Sequence, residues 1–186
     1  METDSSIPPS REVPRYPVGA YQVPDRFETD MIRGWIQTIE TFPQWLDPLI
    51  ENIDAAQLAT PYRTGGWSPQ QIIHHLADAH MNMYIRLKLA LTEDQPVVKT
   101  YEDDLWSDLP DVETVPVNVS ITLLHALHRR IGAVLRAMND RDWERTYYHP
   151  EQERAIPLWE LADYMSWHGR HHVQQVRRLR ELNGWS

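Results

Sequence analysis

The stretch PLWELADYMSWHGRHHVQQVRRLRELNG, residues 157–184, decides the fold. Pro157 suits the first position of a helix and Gly184 its C-terminal cap. Between them Leu161, Met165, Val176, Leu179 and Leu182 recur at helical spacing and make one apolar stripe. A helix of this length with a single apolar stripe needs partners of similar length to cover it. At about 100° per residue, His168 and His172 fall near the middle of the stripe, His171 at its edge and Arg170 on the opposite side.

Three such partners are legible upstream. A helical pattern runs from about Asp25 to Asn52 through Phe27, Ile32, Trp35, Ile36 and Ile39, with Pro43 and Pro48 predicting a kink or break near Thr41. A second helix opens with Ser68 as N-cap, Pro69 at the first position and Gln71 completing a capping box, and runs to about Leu91. Its stripe is Ile72, Leu76, Ala79, Met83 and Leu87. A third runs from about Asn118 or Ser120 to Met138, on Ile121, Leu124, Ile131 and Leu135. The economical architecture is all-α, a four-helix bundle in which residues Thr92 to Pro116, with three prolines and many acids, form a long ordered crossover loop. A second excursion, Asn139 to Ile156, is rich in aromatics and admits at most a short hairpin near Tyr147 to Ile156. No internal repeat is visible. Residues 1–14 are polar and proline-bearing and read as a disordered tail; residues 15–186 read as a single helical domain, with Tyr16 to Tyr21 irregular on its surface.

The 186 residues are 41% apolar and 10% aromatic, enough for one substantial core. The net charge of −9 argues against nucleic acid or an anionic membrane as the main partner, since both select basic surfaces. The basic run Arg177-Arg178-Leu179-Arg180 sits in the last turns of a helix, where cations complement the dipole. The chain has no cysteine, which excludes disulfides, thiolate nucleophiles and cysteine-held zinc. No apolar leader region and no membrane-length apolar run is present, so a cytoplasmic protein is expected.

Two imidazoles one turn apart, joined by a third from another helix, can hold a transition metal and leave a position open. On the second helix His75 lies beside the apolar stripe, whereas His74 faces roughly the far side. Burying three imidazoles in an apolar seam costs free energy unless each has a partner. A shared metal on His75, His168 and His172 satisfies all three; the competing explanation is core histidines bonded to backbone carbonyls. The segment is not the H-E-x-x-H protease motif, because Gly169 stands where the glutamate base would be.

His128 lies on the inward stripe of the third helix and is a candidate fourth ligand, ligand-supporting group or proton shuttle. Asp78, Asn82 and Arg86 continue a polar seam from His75 and are candidates for a substrate pocket, with Arg86 suited to a carboxylate or phosphate. Trp67 and Trp167 adjoin the motif segments and are expected to pack around them. His80 and His125 flank their helices' apolar faces and carry no assigned role.

With these residues in place the chain resembles the DinB superfamily, and within it the YfiT-like branch of metal-dependent hydrolases that includes bacillithiol S-transferases. The likeness covers Tyr16 to Ser186. It is carried by Tyr16-Pro17-Val18-Gly19-Ala20-Tyr21, Pro61-Tyr62-Arg63-Thr64-Gly65-Gly66-Trp67 and His74-His75-Leu76-Ala77-Asp78. It continues through His80-Met81-Asn82, Tyr84-Ile85-Arg86, Leu91-Thr92-Glu93, Tyr148-His149-Pro150, Trp167-His168 and His171-His172. The resemblance implies a bundle with a long crossover, and a metal held by three histidines that fall here on His75, His168 and His172. It also implies zinc or nickel, one ion per chain, and a homodimer. Gly169-Arg170 departs from the family pattern, at positions expected to face away from the core.

Three functions fit. A thiol bound at the open position loses its proton near neutral pH and attacks a small electrophile. Water bound there has its pKa lowered towards ~7 and hydrolyses an amide or ester. The third reading is a non-catalytic helical dimer module with structural histidines. Resemblance alone tilts the balance to thiol transfer; a small-molecule thiol and an electrophile are the partners it implies.

Overall fold

The computed structural model describes residues 12–185 and is dominated by four long helices: α1 (Thr29–Thr41), α2 (Pro69–Thr92), α3 (Val117–Ala137) and α4 (Leu158–Asn183). α1 and α2 each pack against both α3 and α4. Cross-links give the directions. His74 Nδ1 lies 2.8 Å from Ser120 Oγ at the starts of α2 and α3, while Arg145, just beyond α3, donates to the Ala90 carbonyl at the end of α2. Those two helices therefore run parallel. α1 opposes α3, with Ile39 against His128 and Asp47 against His125. α4 runs alongside α1, ending where Arg180 donates to the Leu49 carbonyl. Two consecutive helices that lie parallel need a connection the length of the bundle, and residues 93–116 supply it.

Local sequence accounts for the element ends. The α2 N-terminus carries the expected capping box: Gln71 N–H donates to Ser68 Oγ, and Ser68 N–H donates to Gln71 Oε1. Ser68→Ala removes one of these bonds from a buried cap and is expected to cost ~1 kcal/mol, read as a lower urea midpoint at unchanged slope. Gly184 closes α4 at φ 65°, a left-handed conformation that glycine adopts without a Cβ penalty.

Several expectations are corrected. The first helical pattern starts later than expected, at Thr29, and breaks at Thr41 as Pro43 and Pro48 predicted, giving three pieces: α1, a 3-10 turn at Phe42–Trp45 and a short helix at Asp47–Ile50. Pro43 and Pro48 each lack an amide hydrogen, and each starts a new turn instead of continuing the old one. The crossover holds two one-turn helices, Asp103–Ser107 and Pro110–Thr114. It is tied to the hairpin β1 (Thr146–His149) and β2 (Arg154–Pro157) by Val98 N–H to the Tyr148 carbonyl and Tyr148 N–H to the Pro96 carbonyl. The assignment of residues 1–14 to a tail is corrected at its end. Val13 is buried and its N–H donates to the Tyr62 carbonyl, because an apolar side chain here finds the seam between Tyr62 and the bundle; residues 1–11 lie outside the described range. Leu182, expected on the α4 stripe, is exposed.

The core is split in two. One apolar cluster takes Trp35, Ile39, Ala79, Met83, Leu127, Ile131 and Met165; the other takes Phe42, Leu46, Ile72, Leu76, Leu124, Val173 and Val176. Along every helix the break falls at one level, and that level is filled by His75, His80, His128, His168 and His172, all buried. A polar slab crosses the middle of the bundle. Among the described residues no helix is long and apolar enough to cross a membrane.

Candidate metal centre

His75 from α2 and His168 and His172 from α4 converge in that slab. Each offers a ring nitrogen, and these atoms all lie within 4.8 Å of one another. His75 Nε2 and His168 Nε2 are 3.2 Å apart, close to the ~3.3 Å edge of a tetrahedron with metal–nitrogen bonds of 2.0–2.1 Å. Burial disfavours the charged form of all three rings. It pushes His75 down to about 4, and His168 and His172 well below the ordinary histidine value, with neighbouring imidazoles adding to the effect. Neutral imidazoles are the form that ligates a metal. Among the described residues no carboxylate and no fourth histidine joins this group. The donor set therefore fits a borderline divalent ion with a position left open.

That open side faces a cavity of about 770 Å³, lined in part by His75, Arg86, Tyr164, Trp167, His168 and His172. The segment from Tyr16 to Tyr21, expected to lie on the surface, borders this cavity together with Arg15 and is held down: the Gly19 carbonyl accepts from Trp167 Nε1 and the Arg15 carbonyl from Gln175 Nε2. Trp67 packs on His75 at 4.4 Å and Trp167 stacks on His171 at 4.7 Å, as their positions in the sequence suggested.

Of the polar residues expected at the pocket, Arg86 lines the cavity, and its Nη2 donates to the Lys99 carbonyl. Asp78 and Asn82 do not line it; they are half-buried, and Asn82 Nδ2 donates to the Asp78 carbonyl one turn back. Burial pushes the Asp78 carboxyl up to about 6, and Asp111 adds to this.

His128, a candidate fourth ligand, ligand-supporting group or proton shuttle, lies apart from the three-histidine group. It is fully buried, does not line the cavity, and reaches the three histidines only through His80. His80 Nε2 lies 3.0 Å from His168 Nδ1, His80 Nδ1 lies 2.7 Å from His128 Nε2, and His128 Nδ1 meets the Ile39 carbonyl. His80 had no assigned role. The same helical projection that singled out His75 places His80 at the opposite edge of the same stripe, so the signal was present.

Gln175 was also missed. Its Oε1 accepts from His172 Nδ1 at 2.8 Å, while its amide donates to His171 Nε2 and the Arg15 carbonyl. This holds the His172 Nε2 lone pair towards the site. His74, expected to face away, is buried and pinned between Ser120 Oγ and the Val115 carbonyl, where it anchors the end of the crossover. Gly169 also faces inward: a Cβ there would stand 2.7 Å from the Phe42 ring.

Comparison with known proteins identifies the family. The model of the DinB superfamily matches residues 38–176. The protein named "Putative metal-dependent hydrolase YfiT" of Bacillus subtilis is 40% identical over 171 residues, covering 92% of this chain and 96% of its own. A relative of the same description from Geobacillus thermodenitrificans is 39% identical over the same length, with the same coverage. One from Bacillus cereus strain B4264 is 42% identical, covering 92% of this chain and 98% of its own. The solved structure of Bacillus subtilis YfiT, described as a probable metal-dependent hydrolase with an unusual four-helix bundle topology, superposes with a TM-score of 0.89 over 92% of this chain and 98% of that one. The mycothiol-dependent maleylpyruvate isomerase shares the fold at a TM-score of 0.61 and 16% identity, over 78% of this chain and 60% of that one. With the match running through all four helices and both histidine segments, the chain belongs to the DinB superfamily and is YfiT-like.

Proposed function

We propose that this protein is a metal-dependent enzyme that holds one divalent ion, zinc or nickel, on His75, His168 and His172, and transfers a small thiol of the bacillithiol type to an electrophile. The carrying observation is the convergence of three buried, neutral imidazoles on the wall of a cavity large enough for two small molecules. A bound divalent ion supplies a Lewis acid that favours the deprotonated form of a thiol or water placed at the open position.

The chain's own residues do the rest. The apolar clusters above and below the slab exclude water from the back of the site, so the cavity is its approach. Arg86 offers a cation to a carboxylate or phosphate on either reactant. The protein has no thiol to compete for the ion, so the reacting sulfur arrives from solution. Its S–H proton passes to solvent, the sulfur bonds to the electrophilic carbon, and the leaving group departs with the electron pair of the broken bond. A cytoplasmic homodimer belongs to the same reading, since that compartment keeps small thiols reduced.

Hydrolysis is the second reading, favoured by the description that the curated relatives carry. Elemental analysis of tag-free, dialysed protein comes first. Near one zinc or nickel per chain in the wild type, lost in the double variant His168→Ala with His172→Ala, is expected. Turnover is then compared for an aryl halide with and without bacillithiol, and for aryl esters without thiol. Halide release that requires bacillithiol supports transfer; ester cleavage without thiol supports hydrolysis. No metal in the wild type, even after reconstitution, sinks both.

A further inference from the structure

The slab contains a chain of imidazoles whose proton positions can be deduced. It begins at the Ile39 carbonyl. In α1 that oxygen would take its helical bond from residue 43, but residue 43 is proline and has no N–H. Phe42 N–H makes its own regular helical bond, to the Thr38 carbonyl, and does not cover Ile39. The Ile39 oxygen is thus left for a side chain, and His128 Nδ1 takes it.

A carbonyl only accepts, so His128 Nδ1 carries a hydrogen. His128 is buried and neutral, and its Nε2 therefore holds a lone pair. His80 Nδ1, 2.7 Å away, must donate to it. His80 is fully buried and neutral as well, so its Nε2 accepts, and the donor 3.0 Å away is His168 Nδ1–H. That leaves His168 Nε2 without a hydrogen, and this nitrogen is the one beside His75 Nε2. Each step has one solution, because each ring has one hydrogen and the series ends on a group that cannot donate.

We infer that His80 and His128 are positioning residues: they carry the polarity of the Ile39 carbonyl, freed by Pro43, through two rings to His168, and hold its Nε2 lone pair towards the three-histidine site. The purpose assigned to this relay rests on the metal reading above; the hydrogen placements do not. The orientation of a ligand by an outer hydrogen-bond partner is general in metal sites, and loss of such partners lowers affinity 10- to 100-fold. Here the partner is itself a histidine and the anchor is a helix carbonyl on a third element, so three of the four helices fix one ligand. Phe42 packs on both relay rings, at 5.1 Å from His80 and 5.0 Å from His128.

The first test needs no variant and no metal. In full-length metal-free protein carrying 15N-histidine at neutral pH, two-bond nitrogen–proton correlations are expected to show His128, His80 and His168 each wholly as the Nδ1–H tautomer. An Nε2–H form at His168 overturns the inference. The second test measures zinc affinity by competition with a chromophoric chelator. His128→Leu removes the acceptor for His80 and is expected to weaken zinc binding about 10-fold, with mixed tautomers at His168. His128→Gln can still donate to Ile39 and accept from His80, and is expected to stay within about 3-fold of wild type. Equal affinity and unchanged His168 tautomer in His128→Leu, or a loss in His128→Gln as large as in His128→Leu, overturns it. Should the wild type bind neither zinc nor nickel, the metal reading fails, and the tautomers alone decide whether the relay exists.

Discussion

Between pH 7.5 and 5, metal-free protein is expected to lose several kcal/mol of stability and to unfold in mild acid. The cause is the histidine slab. Burial pushes His75 and His128 down to about 4, and His80, His168 and His172 well below their ordinary value. In the unfolded chain each titrates near 6.5. Below that pH the unfolded state binds more protons than the native one, so stability falls with falling pH. The contribution is fully present above about 6.5 and is lost progressively towards the folded values. At 1.36 kcal/mol per pH unit, His75 and His128 alone remove roughly 4 kcal/mol by pH 5, and the other three act in the same direction. Total stabilities are typically 5–15 kcal/mol. Asp78 opposes this weakly: its raised carboxyl makes stability fall as pH rises from about 4 to 6, but it is half-exposed and screened. Urea titrations at pH 7.5, 6.5, 5.5 and 5 measure the slope. A flat profile would mean that the slab is hydrated and its rings charge without unfolding. An ion on His75, His168 and His172 keeps three rings neutral, so zinc or nickel is expected to move the acid limit downward.

The slab also explains which parts of the molecule were legible beforehand. Helices α2, α3 and α4 announce themselves because caps and a 3.6-residue stripe coincide, as at Ser68 and Gly184. The ligand trio was legible because His168 and His172 share a face and His75 adjoins its own stripe. The relay was not. Its members are spread over three elements, and its anchor is a backbone oxygen exposed by a proline, which side-chain patterning does not register. His74 was misjudged for a related reason. Projection gives the angle of a residue on its own helix, but burial depends on which neighbours cover that angle, and α2 is covered by α3, α4 and the crossover together. The Arg15–Tyr21 segment lacks periodicity, so its place beside the cavity was invisible until Gln175 and Trp167 were seen to bind it.

Phe42 and Gly169 should show strong coupling of opposite sign, and their double variant separates packing from chemistry in the slab. Phe42 is almost fully buried between the relay rings and Trp45, and lies against α4 at Gly169. Phe42→Ala is expected to cost about 3–5 kcal/mol, the usual range for emptying an aromatic site that cannot collapse. Gly169→Ala alone brings a methyl to 2.7 Å from one ring carbon of Phe42 and 3.0–3.1 Å from two more. A ring wedged between two imidazoles has little freedom to retreat. Overpacking of this kind costs ~1–3 kcal/mol, of which the gain in helix propensity returns at most ~1. In the Phe42→Ala background the obstruction is gone, and Gly169→Ala should stabilise by up to about 1 kcal/mol. Differential scanning of the four proteins at pH 7.5 gives the cycle; strict additivity would show that the ring yields freely and that Gly169 is there for another reason. The same cycle bears on the site, because Phe42 touches none of the three proposed ligands' metal-facing nitrogens through a hydrogen bond, yet it pins His80 and His128. A weaker zinc affinity in Phe42→Ala, with His75, His168 and His172 intact, is therefore the result expected if the slab works by holding imidazoles still.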